Sequence, residues 1–452
     1  MTSDEKQRVL ALLMKHGWNS TSFQILEPGF EYWFDGDDAC VGYVDTGGAW
    51  VAAGPPIAAA QRIADVAERF SAAARENGRR VCCFGTEVRF SDIAQWPSIR
   101  IGEQPLWIPA EWDATIKSSK SLREQLRRAR AKGVVVDELT PAQLAAGQPM
   151  RDELDRLVGS WQKSQALAPM GFLVKVELFA FPQERRYFVA RRAGEIVAFL
   201  GVIPIYARRG WFFEDFIRGP AAPNGTVELL IDAGMRAAKA GTIEIVTLGL
   251  APLAGDVSPL LRFARRWGRL LYDFDGLRAF KAKLKPKSWD PIFLSYPSGG
   301  NPVLATKDTL TAFSRGGLLR FGIETMLRGP TVVVQALALL LAVWTVLLAL
   351  PIATRWFPSP AWQWGWVAFD VAIFVALFAL SRKWRHRLAT LVAAAITADA
   401  VTTLGEALFY NVPHRRGPLD FVVIAIAIAA PTFASIVLWN ARARAATGAA
   451  RA

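Results

Sequence analysis

The residues best suited to chemistry lie in one run, Trp211-Phe-Phe-Glu-Asp-Phe-Ile-Arg-Gly-Pro-Ala-Ala-Pro-Asn-Gly-Thr226, with Glu228 close behind. The pattern predicts a strand that delivers Asp215 and Arg218, then a Gly/Pro/Asn loop containing Asn224 and Gly225, then a helix. Free N–H groups at a helix start attract anions, and glycine lets a ligand approach the backbone. Arg218 is suited to grip a phosphate through two parallel hydrogen bonds. Asp215 and Glu228 are candidate bases. The same residues would also make an ordinary strand–loop–helix corner closed by an internal Asp215–Arg218 ion pair.

Two further stretches concentrate positive charge. Lys281, Lys283 and Lys285 alternate with Ala282 and Leu284. On a strand that spacing would put three cations on one side, to hold a polyanion or to guard an exposed edge. Ser121 to Lys132 reads as a helix with Leu122, Leu126 and Ala129 on one face, a Ser121/Glu124 capping box and Gly133 as its stop. Arg123, Arg127, Arg128, Arg130 and Lys132 crowd its other faces. Such a surface suits phosphates, and a solvated face is the plainer reading.

Other chemistries are poorly served. The sequence has no Walker A, GxSxG or HExxH pattern, and its three histidines are His16, His386 and His414. Neither a Ser-His-Asp triad nor a His-rich metal site is expected, and no cofactor is implied. Arg218 to Gly225 lacks the usual acyl-CoA pyrophosphate loop, Arg/Gln-x-x-Gly-x-Gly/Ala, which argues against acyl-CoA as donor. Cys40, Cys82 and Cys83 make neither a disulfide scaffold nor a zinc pair and point to a reducing compartment. The formal charge of +13 favours anionic partners: nucleic acid, acidic lipid or phosphate.

The positioning elements come in a repeated order. Gln7 to His16 reads as a helix. Tyr32 to Phe34, Ala39 to Val44 and Trp50 to Ala53 read as strands, Ile57 to Asn77 as a helix and Arg80 to Phe84 as a strand. Arg186 to Arg191, Ile196 to Ile205 and Trp211 to Ile217, then the helix Thr226 to Ala240 and the strand Ile243 to Leu248, repeat that order. Two similar α/β (α+β) halves are expected, 1–117 and 118–300, with the candidate site in the second.

A linker at 301–330 and a membrane domain at 331–452 follow. The spans are placed at Thr331 to Ala353, Trp362 to Leu380, Leu388 to Val412 and Phe421 to Trp439, four in all, or three if a less clean one falls short. Arg315, Arg320 and Arg328, then Arg382, Lys383, Arg385 and Arg387, then Arg442, Arg444 and Arg451 gather on one side, against Arg355, Arg415 and Arg416 on the other. The positive-inside rule assigns the soluble part and the C-terminal end to the cytoplasm. Met1 to Ser20 carries acids and no apolar core, so no signal peptide is expected. Asp370 falls mid-span, and Asp399 and Glu406 share a helix face. Buried charge of this kind marks a polar seam for a lipid head group or a partner, unless the third segment is not a full span.

Several motifs, in order, resemble the C-terminal catalytic domain of phosphatidylglycerol lysyltransferases, the aminoacyl-phosphatidylglycerol synthases of bacteria. They are His16-Gly-Trp-Asn19 with Gly54-Pro-Pro-Ile57, Leu122-Arg-x-x-Leu126 ending at Gly133, and Glu214-Asp-x-x-Arg218 with Ala222-Pro-Asn-Gly225. Leu248-Gly-x-Ala-Pro-Leu253 and Gly276-Leu-x-x-Phe-Lys-x-Lys283 with Pro286 complete the set. The resemblance implies tandem acetyltransferase-like (GNAT) folds and transfer of an aminoacyl group from charged tRNA to a hydroxyl of an anionic membrane phospholipid such as phosphatidylglycerol. It implies a place in the bacterial inner membrane, with the catalytic part in the cytoplasm. It makes Asp215 the group that orients the attacking hydroxyl or the donor's amine, Arg218 a phosphate holder and Lys281 a stabiliser of negative charge, supported by Glu228, Asn224, Lys283 and Lys285. Arg123, Arg127 and Arg130 would face the tRNA acceptor stem. In well-known members many membrane helices precede the catalytic domain, whereas here the spans follow it. An acyl-CoA-dependent acyltransferase of the same fold and a non-catalytic anchor that binds anionic lipid are the alternatives.

Overall fold

The computed structural model describes residues 3–164, 170–174, 176–257, 261, 274–314, 317–318, 320–321, 330–382, 384–415 and 417–449. Arg315, Arg328, Lys383, Arg416 and Arg451 of the charge pattern above lie outside them. The chain forms two compact units, one of Met1–Ser164 and Pro169–Leu318, the other of Gln165–Ala168 and Leu319–Ala452.

Among the described residues of the first unit, twelve strands make one sheet. They are β1 (Glu31–Phe34), β2 (Cys40–Asp45), β3 (Ala49–Ala53), β4 (Arg80–Thr86), β5 (Ser98–Trp107), β6 (Val134–Leu139), β7 (Arg186–Arg192), β8 (Glu195–Ile205), β9 (Gly210–Arg218), β10 (Ile245–Thr247), β11 (Ala251–Pro252) and β12 (Ser288–Ser295). The helices are α1 (Ser3–His16), α2 (Ile63–Glu76), α3 (Val88–Ala94), α4 (Trp112–Ser118), α5 (Lys120–Ala131), α6 (Pro149–Ser164), α7 (Thr226–Ala240), α8 (Phe274–Lys283) and α9 (Pro302–Phe313). Across the sheet the order is β1-β2-β3-β4-β12-β5-β10-β9-β8-β7-β6, with β11 beside β5.

That order contains a repeat and an exchange. An antiparallel run β1-β2-β3 leads through α2 to β4, which lies parallel to β3. Likewise β7-β8-β9 leads through α7 to β10, parallel to β9. Both crossover helices bury an apolar stripe on the sheet: Ile63, Val66, Ala67, Phe70 and Ala74 in α2, Leu230, Met235 and Ala238 in α7. The next strand of each half then crosses over. β5 follows β4 in the chain but pairs with β10, whereas β12, at the end of the second half, pairs with β4. β5 and β12 pair with each other from Ser288↔Leu106 to Ser295↔Ser98.

Two expected elements are corrected. Helix α5 is capped by Ser119, whose hydroxyl accepts from Leu122 N at 3.3 Å, so the Ser121/Glu124 box does not form. Ser119 has the extended backbone that an N-cap needs, and Glu124 turns instead to Arg127 and Arg128. The lysine row is not a strand. Phe274–Lys283 is helical because Leu277, Phe280, Lys281 and Leu284 recur at helical spacing, and of the three lysines only Lys281 is buried.

In the second unit the helices are α10 (Pro330–Leu348), α11 (Pro360–Arg382), α12 (His386–Glu406) and α13 (Pro418–Ala449), with a π turn, Ala407–Asn411, after α12. Among the described residues three stretches are long and apolar enough to cross a membrane: Pro360–Arg382, His386–Asn411 and Asp420–Ala443. The sequence reading allows four spans or three, and the apolar helix α10 stands at the first expected one. Pro351 holds Leu350 in an extended conformation, and α10 ends at Leu348. The third, the less clean by sequence, has full length. Leu377, Val392, Ala393 and Leu438 form this unit's interior, while Leu391, Val401 and Phe409 point outward, as lipid-facing residues do.

Candidate active site

The sheet of the second half opens where its parallel pair diverges. In the second half, β9 and β10 pair over Gly210–Phe212 and Ile245–Thr247. Beyond that, β9 runs on to Arg218, while the chain after β10 kinks at Gly249 (φ +69°) and continues along β5 as β11. Lys281 fixes the turning side. Its buried ammonium donates to the carbonyls of Leu248, Gly249 and Leu250 at 2.8, 2.9 and 3.0 Å. Burial pulls its pKa down to about 7. The Lys281 ammonium thus positions one wall of the opening.

The other wall carries the acids. Gly201 of β8 faces Asp215, Val202 faces Phe213, and Glu214 is the extra residue of a bulge. The bulge lets two consecutive carboxylates come within reach of one cation. Arg185 donates to Glu214 Oε2 at 2.7 Å, to Glu27 Oε1 at 2.8 Å and to the carbonyl of Ala180 at 2.8 Å. Gln24 Nε2 donates to Glu214 Oε1 at 2.7 Å and to the carbonyl of Leu173 at 2.9 Å. Three carboxyls around one guanidinium leave a surplus of negative charge. Burial, reinforced by Glu214, raises the Glu27 pKa to about 9. The same two causes lift half-buried Asp215 well above the usual carboxylate range, with Glu177 adding to the push and Arg185 opposing it.

The matching opening of the first half is closed. There Gly54 N donates to the carbonyl of Phe84 at 2.7 Å. Thr21 is wedged between the strands: a Cβ at Gly54 would lie 2.7 Å from Thr21 Oγ1, and one at Gly85 3.0 Å from Thr21 Cγ2. Asn19 Nδ2 seals it on the carbonyl of Gly85 at 3.0 Å.

Several residues singled out in the sequence are not brought into one corner. Asp215 and Arg218 do not pair. Three positions apart on a strand, they sit on opposite faces, and Arg218 Nη2 instead donates to the carbonyl of Ala222 at 2.7 Å and to Asn224 Oδ1 at 3.4 Å. Glu228 is half-buried in the first turn of α7 and makes no hydrogen bond or ion pair among the described residues. Gly225 (φ +94°) caps α7 against α5, and a Cβ there would lie 2.2 Å from the carbonyl oxygen of Gln125. The start of α7, where an acyl-CoA pyrophosphate would be cradled, is therefore covered by protein. Arg123 donates to the carbonyls of Ile116 and Lys117, Arg127 to Glu124 and Arg130 to buried Asp232 at 2.8 Å. Lys283 and Lys285 are exposed. In the second unit each acid has a donor: Thr345 for Asp370 at 3.4 Å, Thr403 for Asp399 at 2.9 Å, and Trp366, at 3.1 Å, together with Trp362 for Glu406.

A continuous sheet with two meander–crossover–parallel repeats, open at the diverging pair of the second, has the tandem GNAT-like fold. The family profile described as phosphatidylglycerol lysyltransferase, C-terminal, matches residues 10–296, and the chain belongs to that family. A phosphatidylglycerol lysyltransferase of Bacillus subtilis is 35% identical over 118 residues, 24% of this chain and 14% of that protein. A lysylphosphatidylglycerol biosynthesis bifunctional protein LysX of Mycobacterium ulcerans is 23% identical over 217 residues, 44% of this chain and 19% of that protein. The chain thus spans less than a fifth of the length of these relatives. Two solved structures share the fold. One is described as the C-terminal domain of a candidate lysylphosphatidylglycerol synthetase from Agrobacterium fabrum, with TM-score 0.58 and 23% identity, covering 70% of this chain and 99% of that one. The other is L-PGS from Bacillus licheniformis, with TM-score 0.58 and 22% identity, covering 68% and 95%.

Proposed function

We propose that this protein is a membrane-bound aminoacyltransferase that moves an amino acid from aminoacyl-tRNA to a hydroxyl of an anionic phospholipid such as phosphatidylglycerol, with the catalytic unit in the cytoplasm. The observation that carries the reading is the carboxylate Asp215, its pKa raised by burial, at the opening of the second half. Family membership supports the phospholipid acceptor class.

The chemistry is transesterification. Asp215 takes the proton of the lipid hydroxyl as its oxygen attacks the ester carbonyl, a carboxylate of raised pKa being the better base near neutrality. The tetrahedral oxyanion collapses, the bond to the ribose oxygen breaks as the new ester forms, and Asp215 returns its proton to that oxygen, which leaves as the terminal ribose hydroxyl of the tRNA. The donor is already activated, so holding both substrates in line does much of the work. Arg218, whose Nε and Nη1 have no partner among the described residues, is placed to meet a phosphate. Lys281 acts as a positioning residue for the Leu248–Leu250 wall. The acyl-CoA alternative is disfavoured by the packing of Gln125 on Gly225. Mass spectrometry of membrane lipids from cells expressing the intact chain or Asp215→Asn tests the proposal. An added aminoacyl lipid that vanishes in the variant supports it, and no lipid change sinks it.

A further inference from the structure

Helix α9 lies beyond the residues matched by the family profile, and it is apolar on its outward side. Its inward face is mixed, with Ala305 and Ala312 in the core beside polar residues. Asp308, buried, takes a bidentate pair from Arg80 at 2.8 and 2.7 Å, and Thr309 packs beside Cys82. Phe313 packs edge-on against Phe84 and Phe172, with ring centroids 5.0 and 5.2 Å apart. These contacts fix the roll of the helix on the sheet. Its outward face is then set, and it is apolar: Val303 is 61% exposed, Leu304 37% and Leu310 51%. Val303, Lys307 and Leu310 are four and three residues apart, hence on one stripe. A water-facing helix normally turns charge outward and apolar residues inward. Here three large apolar residues face outward, with one lysine in the middle of the stripe.

We infer that the outward face of α9 docks on the bilayer, with Val303, Leu304 and Leu310 in the acyl–headgroup boundary and Lys307 among anionic headgroups. An apolar stripe with an interspersed cation is the pattern of a helix lying in the interface plane. The chain supports this occupant over others. Residues 314–329 separate α9 from Pro330, where the first helix of the membrane unit begins, and even fully extended they reach only about 55 Å. Arg315, Arg320 and Arg328 add positive charge on that stretch. Docking would hold the catalytic unit at the lipid surface, in addition to the tether of the chain itself. The inference does not depend on which reaction the unit performs.

The test uses the full chain in nanodiscs. The native cysteines are buried, so Leu310→Cys can be labelled selectively with an environment-sensitive dye. Glu195→Cys, at an exposed turn, serves as the control, and Val303→Cys provides a second reporter should Leu310→Cys fold poorly. Nitroxide-bearing lipids should remove most of the emission at Leu310→Cys and Val303→Cys and none at Glu195→Cys. The loss should be larger in discs containing phosphatidylglycerol than in phosphatidylcholine alone, and smaller when Lys307→Glu is added. Reporters quenched no more than the control would overturn the inference. So would quenching that appears only when a second copy shares the disc, because the face would then be a protein interface.

Discussion

Arg185 holds Glu214 at 2.7 Å with both side chains almost sealed from solvent, and Glu214 is the bulge residue that sets Asp215 at the opening. The same guanidinium holds Glu27, and half-buried Asp215 feels its charge, so three carboxyls lean on one cation. Removing that cation should therefore cost far more than removing one acid. Arg185→Met is expected to lose about 3–5 kcal/mol of stability, as breaking a buried pair from one side does. Denaturant unfolding measures it, and a loss below about 1 kcal/mol, the value of an exposed pair, would contradict the network.

Asp215→Asn should keep the fold and lose transfer. Loss of a positioned base typically lowers the rate by about 10²–10⁴-fold. In the wild type, kcat/KM should fall as pH falls, beginning above the ordinary carboxylate range because Asp215 must be deprotonated to act. The pH–rate profile checks this, and the variant should lack that limb.

Glu27 gives a stability signature of opposite sense. Its pKa is raised from 4.5 to about 9, so between those values the folded protein holds a proton that the unfolded chain releases. The contribution is full below 4.5 and fades as pH rises through about 9. Stability of the wild type relative to Glu27→Gln should thus decline over that window, as read from unfolding midpoints at several pH values.

Much of this architecture can be read in the chain, and some of the site cannot. Gly78 after α2 and Gly241 after α7 mark helix ends, and Thr226 to Ala240 is the helix its apolar spacing predicts. Asp215 and Arg218 were visible as a pair of chemical residues. Their separation onto two faces follows from strand period, but the bulge at Glu214 does not, since bulges leave no fixed pattern in sequence. Arg185, Glu27 and Gln24 went unread because they meet Glu214 only through the fold: Gln24 lies 190 positions away. One signal was there. Two adjacent acids in an apolar strand call for a buried cation. The lysine row misled because alternation over five residues also fits a helix end.

The packing at Gly225 allows a steric test. Gly225→Ala meets the Gln125 carbonyl and also forces a side chain onto φ +94°. A cost of about 1–3 kcal/mol is expected, with α5 displaced. Lys283→Gln, which touches neither wall, should change stability by less than about 0.5 kcal/mol. Thermal unfolding of both variants decides.

Charge on α5 should govern tRNA binding without touching the lipid step. Arg127 and Arg128 lie on the exposed face and share Glu124, whereas Arg130 anchors Asp232. Arg127→Glu with Arg128→Glu should raise KM for aminoacyl-tRNA, leave kcat near wild type and flatten the salt dependence of binding. Arg130→Gln should instead lower stability. Filter binding at several salt concentrations separates the two.

The most direct test is a transfer assay with purified protein in nanodiscs containing phosphatidylglycerol, supplied with a pool of tRNAs carrying labelled amino acids. Label should pass to lipid with the wild type, vanish with RNase treatment and drop to background with Asp215→Asn. Label reaching lipid equally well with Asp215→Asn, or no transfer at all from any aminoacyl-tRNA, would contradict the role given to Asp215 at the opening of the second half.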